Sequence, residues 1–200
     1  MTNEEFLSRF RFTDLTENVL VNSEPFSCGV DDLDAFFQKD AMRYTQHLVG
    51  RTYVFRPKDN PRLIACAFSV ANDSLRMTDL PNRKQEKFRE ENDLSEKRLK
   101  RYPGILIGRL AVSKDMSHQG IGTALMNFIK MWLGHESKTG CRFLIVDARN
   151  AEDVLSYYEK NGFTYLFPSE EMESMSTRKD KAVVPQTTRL MYFDLKDSKE

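Results

Sequence analysis

The chain has 200 residues, and its 30 Lys and Arg are balanced by 30 Asp and Glu, so it carries no formal net charge. That length suits one domain with a sizeable core, and the neutral balance argues against strong non-specific nucleic-acid binding, which runs on excess positive charge. The opening Met1-Thr-Asn-Glu-Glu-Phe6 lacks the basic region and apolar run of a signal peptide, and no stretch is apolar enough to span a bilayer. The expected setting is therefore cytoplasmic, with no membrane partner. Cys28, Cys66 and Cys141 are odd in number and widely spaced; they read as small reduced core residues, without disulfide or metal-ligand spacing.

In chain order, residues 1–12 are polar with scattered phenylalanines and read as a short helix or a loosely held arm. Phe26-Ser-Cys-Gly29 is a turn. Asp31-Asp32 suits the positive end of a helix dipole, and Leu33, Phe36, Phe37, Ala41, Tyr44 and Leu48 recur as one buried helical face. Arg51 to Arg56 alternates as a strand, Lys58-Asp-Asn-Pro61 is a hairpin turn, and Leu63 to Val70 is an apolar strand. Thr78-Asp-Leu-Pro81 then breaks the chain. From Arg83 to Arg101 eight basic side chains stand against five acidic ones, with Phe88, Leu94 and Leu99 as the few apolar members. This predicts an exposed, partly helical excursion at about 72–102.

Leu106-Ile-Gly-Arg-Leu-Ala-Val112 is a short branched apolar run flanked by Pro103 and Gly104, and predicts a buried strand. Ile121, Leu125, Phe128, Ile129 and Trp132 follow at helical spacing, with Gly134 suited to the stop. The turn between them holds Gln119-Gly120-Ile121-Gly122. Glycines let the backbone approach a ligand, and amides at a helix N-terminus favour anionic oxygens; the same residues also suit a tight connection and nothing more. Cys141 to Asp147 is another strand, and Ala151 to Lys160 a helix closed by Asn161-Gly162-Phe163. Ser169-Glu-Glu-Met-Glu-Ser-Met-Ser176 is polar and reads as mobile or weakly helical. Gln186 to Leu195 alternates as a closing strand, and the charged tail Lys196 to Glu200 frays. An α–β–β start followed by β–α–β–α predicts a single domain built on a mixed α/β sheet with flanking helices.

The order Gly108-Arg-Leu-Ala-Val112, then Gln119-Gly-Ile-Gly-x-Ala-Leu125, then Tyr157-Tyr-Glu-Lys-Asn-Gly-Phe163 resembles the GCN5-related N-acetyltransferase (GNAT) superfamily over roughly residues 20–170. Phe26-Ser-Cys-Gly-Val-Asp-Asp-Leu-Asp-Ala-Phe-Phe37, Arg51-Thr-Tyr-Val-Phe55 and Gly108-Arg-Leu-Ala-Val112 also resemble the acetyltransferase toxins of toxin–antitoxin pairs, which acetylate aminoacyl-tRNA. The resemblance implies a GNAT-like, mostly antiparallel sheet whose fourth and fifth strands splay apart, and direct transfer of an acetyl group from acetyl-CoA to a primary amine. The amine would belong to a small molecule or to aminoacyl-tRNA; an antitoxin and a second copy of the chain are the protein partners it brings into view. A non-catalytic acyl-CoA-binding or interaction domain with the same fold is the alternative from another class.

Residue by residue, the resemblance implies that backbone groups of the Leu110-Ala111-Val112 segment pair with the pantetheine arm, and that amides from Gln119 through Gly120, Ile121 and Gly122 to Thr123 hold the pyrophosphate. Ser117 stands where the family usually has Gln or Arg, which predicts weaker coenzyme affinity. His118 either reaches a phosphate or is a surface turn residue. Asn150 resembles the asparagine that contacts pantetheine, one residue early, and also suits a helix N-cap. Tyr158 matches the tyrosine that protonates the leaving thiolate, as a phenol with a pKa near 10 can; by packing alone it is an aromatic on one helix face. No general base stands out, although Asp147 and the acids of residues 73–93 are available. Arg109 is expected to pair with an acid within the fold. The excursion at 72–102 reads as a solvated face, or, under the resemblance, as a lid on the acceptor side.

Overall fold

The computed structural model describes residues 1–80, 82, 85–86, 90, 99–135, 140–177 and 183–199. Most of the 83–101 charge run lies outside the described residues.

Seven strands form one sheet in the order β1-β2-β3-β4-β5-β7-β6: β1 (Phe10–Asp14), β2 (Arg51–Pro57), β3 (Cys66–Arg76), β4 (Arg101–Val112), β5 (Phe143–Arg149), β6 (Thr164–Tyr165) and β7 (Thr188–Asp194). The β1–β2, β2–β3, β5–β7 and β6–β7 pairs are antiparallel, and β4–β5 is parallel. This is the mixed, mostly antiparallel sheet with flanking helices that the sequence predicts. The chain divides into two compact units, one of Met1–Ala71 with Ile107–His135 and one of Asn72–Leu106 with Glu136–Glu200.

In the first unit the phenylalanines of the N-terminus do more than expected. Thr2 and Glu5 form a reciprocal capping box that starts α1 (Asn3–Arg9), satisfying amides that a helix end leaves open. Phe6 and Phe10 are buried, so this segment is a helix and an edge strand and not a loose arm. Strand alternation then sorts the side chains. Phe12, Tyr53, Phe55 and Phe68 point to one face, where Phe128 and Trp132 of α5 (Ile121–His135) meet them at ring separations of 4.8–6.1 Å. Val54, Ala67 and Ala111 point to the other, packed with Leu15, Val19, Phe26, Phe36, Phe37 and Ala41. Val19 comes from α2 (Glu17–Val21), Phe36 and Phe37 from a π-helical turn at Phe36–Asp40 and Ala41 from α4 (Ala41–Gln46), Leu15 and Phe26 from the connections, and Leu33 of α3 (Asp31–Ala35) packs against them. The predicted helix from Asp31 is thus widened in its middle, and Leu48 lies beyond its end, exposed and at φ 58°.

In the second unit the strands predicted at 63–70 and 106–112 are longer than expected, β3 running to Arg76 and β4 beginning at Arg101. Pro103 and Gly104 lie inside β4 and do not flank it. Leu75, Met77, Leu80, Tyr102, Phe143, Ile145, Leu166, Phe167 and Tyr192 form a second core, so the first residues of the predicted excursion are strand and buried turn. On the opposite face of β5, α6 (Glu152–Lys160) packs Tyr158 against Phe163, and Phe163 against Phe193. The polar run after Ser169 is a docked helix, α7 (Glu170–Thr177). Its buried Glu173 accepts from Arg189 Nε and from the Leu190 amide, both at 2.7 Å, which ties the helix to β7 through charge where apolar contacts are few. The tail through Lys199 is a 3-10 turn.

Candidate active site

Two features of β4 define the candidate site. The first is the length of its ladder. β4 pairs with β5 only through Gly104↔Phe143, Ile105↔Leu144 and Leu106↔Ile145; beyond this β4 runs on to Val112, and β5 runs on to Arg149 paired with β7. The backbone of Leu110, Ala111 and Val112 therefore lies past the end of the β4–β5 pairing. Gly104 opens that ladder, where a Cβ would come within 2.8 Å of Ile145 Cδ1 and 3.1 Å of the Phe143 carbonyl.

The second is where β4 leads. The Ser113 amide bonds to Ala65 O and the Lys114 amide to Ser27 O, and a 3-10 turn at Lys114–Met116 follows. Ser117 Oγ donates to Lys114 O at 2.8 Å, so that hydroxyl closes the turn. His118 at φ 60° and Gly120 at φ 74° are both left-handed, and both are exposed. Ser117, just before them, is extended (ψ 162°), so the chain turns sharply at His118 and Gly120 before α5 begins. The helix that follows, α5, has no acid in its first turn. By contrast α1, α2, α3, α6 and α7 all carry acids there. In those helices a side chain answers the positive end of the dipole; at the start of α5, with Gln119, Gly120, Ile121, Gly122 and Thr123 around it, no first-turn carboxylate does so. The described part of α5 ends at His135, one residue past the predicted stop at Gly134.

In the second unit Tyr158 is 9% exposed, and its ring stands edge-on to Tyr157 and Phe163. Burial pushes the phenol up to about 12, so it is protonated across the physiological range. Asn150 is occupied: its amide donates to Gln186 O at 2.9 Å, and the N-cap of α6 is Ala151. The suggestion that Asn150 caps this helix is thereby corrected. Asp147 has its carboxyl raised by desolvation, then by the nearby charges of Asp73 and Glu173. Burial also raises the thiols, Cys28 and Cys141 to about 11 and Cys66 further still, so no cysteine is a thiolate nucleophile at neutral pH. Among the described residues no cluster of His, Cys, Asp and Glu is placed to hold a metal ion.

Arg109 departs from expectation. It has no ion pair among the described residues; its guanidinium lies over the Phe36 ring at 5.3 Å, and Nη1 donates to Gly108 O at 2.8 Å. Nothing local in the sequence announces that stack, because its two members are far apart in the chain and meet only through the sheet.

Residues 88–165 match the acetyltransferase (GNAT) domain family. Solved structures similar to the chain include AtaT complexed with acetyl-methionyl-tRNAfMet, with 19% identity over 94% of this chain and 96% of that one and a TM-score of 0.69. AtaTR bound with acetyl-CoA matches at 18% identity over 95% and 96% of the two chains, with a TM-score of 0.66. A tyrosine-to-phenylalanine mutant of the AtaT toxin, bound to the C-terminus of the antitoxin AtaR and acetyl-CoA, matches at 17% identity over 94% and 95%, with a TM-score of 0.62.

Proposed function

Given a chain with the GNAT fold, we propose that it is an acetyl-CoA-dependent N-acetyltransferase, that its acceptor is the α-amine of an aminoacyl-tRNA, and that it works as the toxin of a pair held in check by an antitoxin. The observation that carries the reading is the course of β4, whose pairing with β5 ends at Leu106 and which leads into a turn with left-handed His118 and Gly120 and an acid-free helix start. Backbone groups of Leu110 and Val112 pair with the pantetheine arm, as a further strand would, and the amides from Gln119 to Thr123 take the pyrophosphate. Main-chain amides at a helix start suit a diphosphate's anionic oxygens, whereas Ser117 Oγ is spent on Lys114 O and adds little.

The thioester supplies an activated acyl carbon. A β4 amide polarises its carbonyl in the manner of an oxyanion hole, the amine nitrogen forms the new C–N bond, the C–S bond breaks, and Tyr158 Oη gives its proton to the departing sulfur. A phenol near 12 is a weak acid in water, but the apolar surroundings that raise it raise a neighbouring thiolate for the same reason, so the transfer is not penalised by burial. The acceptor's own ammonium is acidified by its ester, so water can take its proton without a dedicated base. The tRNA and antitoxin reading draws support from the similar structures, which cover 94–95% of this chain.

The test is release of CoA and acetylation of charged tRNA by the purified protein. Wild type should transfer acetyl to aminoacyl-tRNA, and Tyr158→Phe should lower kcat by roughly a hundredfold or more while acetyl-CoA still binds. A Tyr158→Phe protein with full turnover refutes the acid role, and a wild type that binds acetyl-CoA yet acetylates no amine refutes the enzyme.

A further inference from the structure

We propose that Arg109, laid on the Phe36 ring, anchors the acceptor by one of its phosphates. This rests on the reading of the acceptor as aminoacyl-tRNA and names the residue that would hold it.

Arg109 and Ala111 share one face of β4, and Ala111 packs in the core with Phe36, Phe37, Val54 and Ala67. The helix α5 lies against the other face, with Phe128 on Phe12 and Phe55 at 4.8 Å. Arg109 therefore looks away from the face that carries α5, whose first turn is reserved for the coenzyme's phosphates, and toward the side formed by α2, α3 and the π-helical turn.

Its charge is unanswered there. A guanidinium stays protonated, and a partly buried cation without an anion is costly, yet no carboxylate among the described residues pairs with it. One nitrogen, Nη1, holds Gly108 O. The buried Nε meets no acceptor, which leaves a donor unsatisfied. The Nε–Nη2 edge is the one that grips an oxyanion through two parallel bonds, and a small swing over the ring brings it round to an incoming oxygen. The platform is built for this. Phe36 opens the π-helical segment, a distortion that recurs at functional positions. Its ring is flanked edge-on by Tyr44 at 5.2 Å, and Tyr44 is 45% exposed, so an aromatic surface for an unstacked base adjoins the anion-seeking edge. In an aminoacyl ester the carboxylate is capped, and the permanent anion nearest the amine is a phosphodiester.

The experiment is binding of a fluorescent single-stranded RNA ending in CCA to the full-length protein, followed by anisotropy over a range of salt, with acetyl-CoA affinity measured calorimetrically alongside. Arg109→Gln should weaken RNA binding roughly ten- to a hundredfold and shrink the slope of log affinity against log salt by about 0.7, with acetyl-CoA affinity unchanged. Phe36→Leu should weaken it severalfold in the same direction, and decides the matter if Arg109→Gln fails to fold. Equal RNA affinity and salt slope in wild type and Arg109→Gln, or a wild type that does not bind the RNA, overturns the proposal. Because this binding needs no chemistry, Arg109-dependent binding without acetyl transfer would sink the acetyltransferase reading and leave the anchor standing. Transfer to aminoacyl-tRNA with Arg109-independent binding would do the reverse.

Discussion

Gly104 should be the residue that sets how closely β4 and β5 approach, and the contact distances give the size of the effect. A methyl at Gly104 would sit 2.8 Å from Ile145 Cδ1, 3.4 Å from Ile145 Cγ1 and 3.1 Å from the Phe143 carbonyl oxygen. The first of these is the tip of a side chain that can rotate; the last is backbone in the parallel ladder and can only shift with its strand. Overpacking of this kind costs about 1–3 kcal/mol. Replacing glycine where φ is unexceptional gives back about 0.4–1 kcal/mol by restricting the unfolded chain, so Gly104→Ala should destabilise by about 1 kcal/mol net. Ile145→Val removes Cδ1 from a residue that is 2% exposed and alone costs about 0.5–1.5 kcal/mol. Together the two changes should cost less than their sum by about 0.5–1 kcal/mol, since the valine vacates the space the new methyl needs. Urea unfolding of the four proteins measures the cycle. Strict additivity would mean that Gly104 is not in contact with Ile145 and would refute this account of the β4–β5 ladder.

Three further outcomes are expected. Glu173→Ala leaves the Arg189 guanidinium, 10% exposed, without its partner at 2.7 Å and should cost about 3 kcal/mol, read as a lowered urea midpoint; replacing Glu173 and Arg189 together by methionine should cost much less. Gly120→Ala meets no atom within 4 Å but must hold φ 74°, so calorimetry should show weaker acetyl-CoA binding together with a loss of stability of about 1–2 kcal/mol. For pH, the Tyr158 phenol raised to about 12 keeps its proton well above the usual tyrosine range. The kcat profile should show no falling limb up to pH 10, and a falling limb centred at pH 9–10 that vanishes in Tyr158→Phe would show the phenol to be far more acidic than its burial allows.

Much of the central fold was legible because its signals are local. Leu106 to Val112, Ile121 to Trp132 and Ala151 to Lys160 announce strand and helix by periodicity alone, and the glycine turn follows from its residues. What was missed depends on tertiary partners. Phe6 and Phe10 become core only because β1 pairs with β2 and α1 folds over it. Glu173 and Ser174 read as surface residues until Arg189 and the backbone of β7 and residue 184 are set beside them. Gly104, taken for a flank, is needed inside the strand by the closeness of Ile145. At the candidate site the backbone elements could be named from the motif, whereas the commitments of Ser117 and Asn150 to the main chain, and of Arg109 to Phe36, are contacts no spacing rule encodes.

The central claim is that the end of β4 and the turn into α5 receive a coenzyme with an anionic tail. Isothermal titration of the purified protein with acetyl-CoA tests it most directly. One acetyl-CoA per chain should bind saturably, and more weakly in Gly120→Ala; absence of detectable heat at millimolar acetyl-CoA, with the protein shown to be folded, would contradict this.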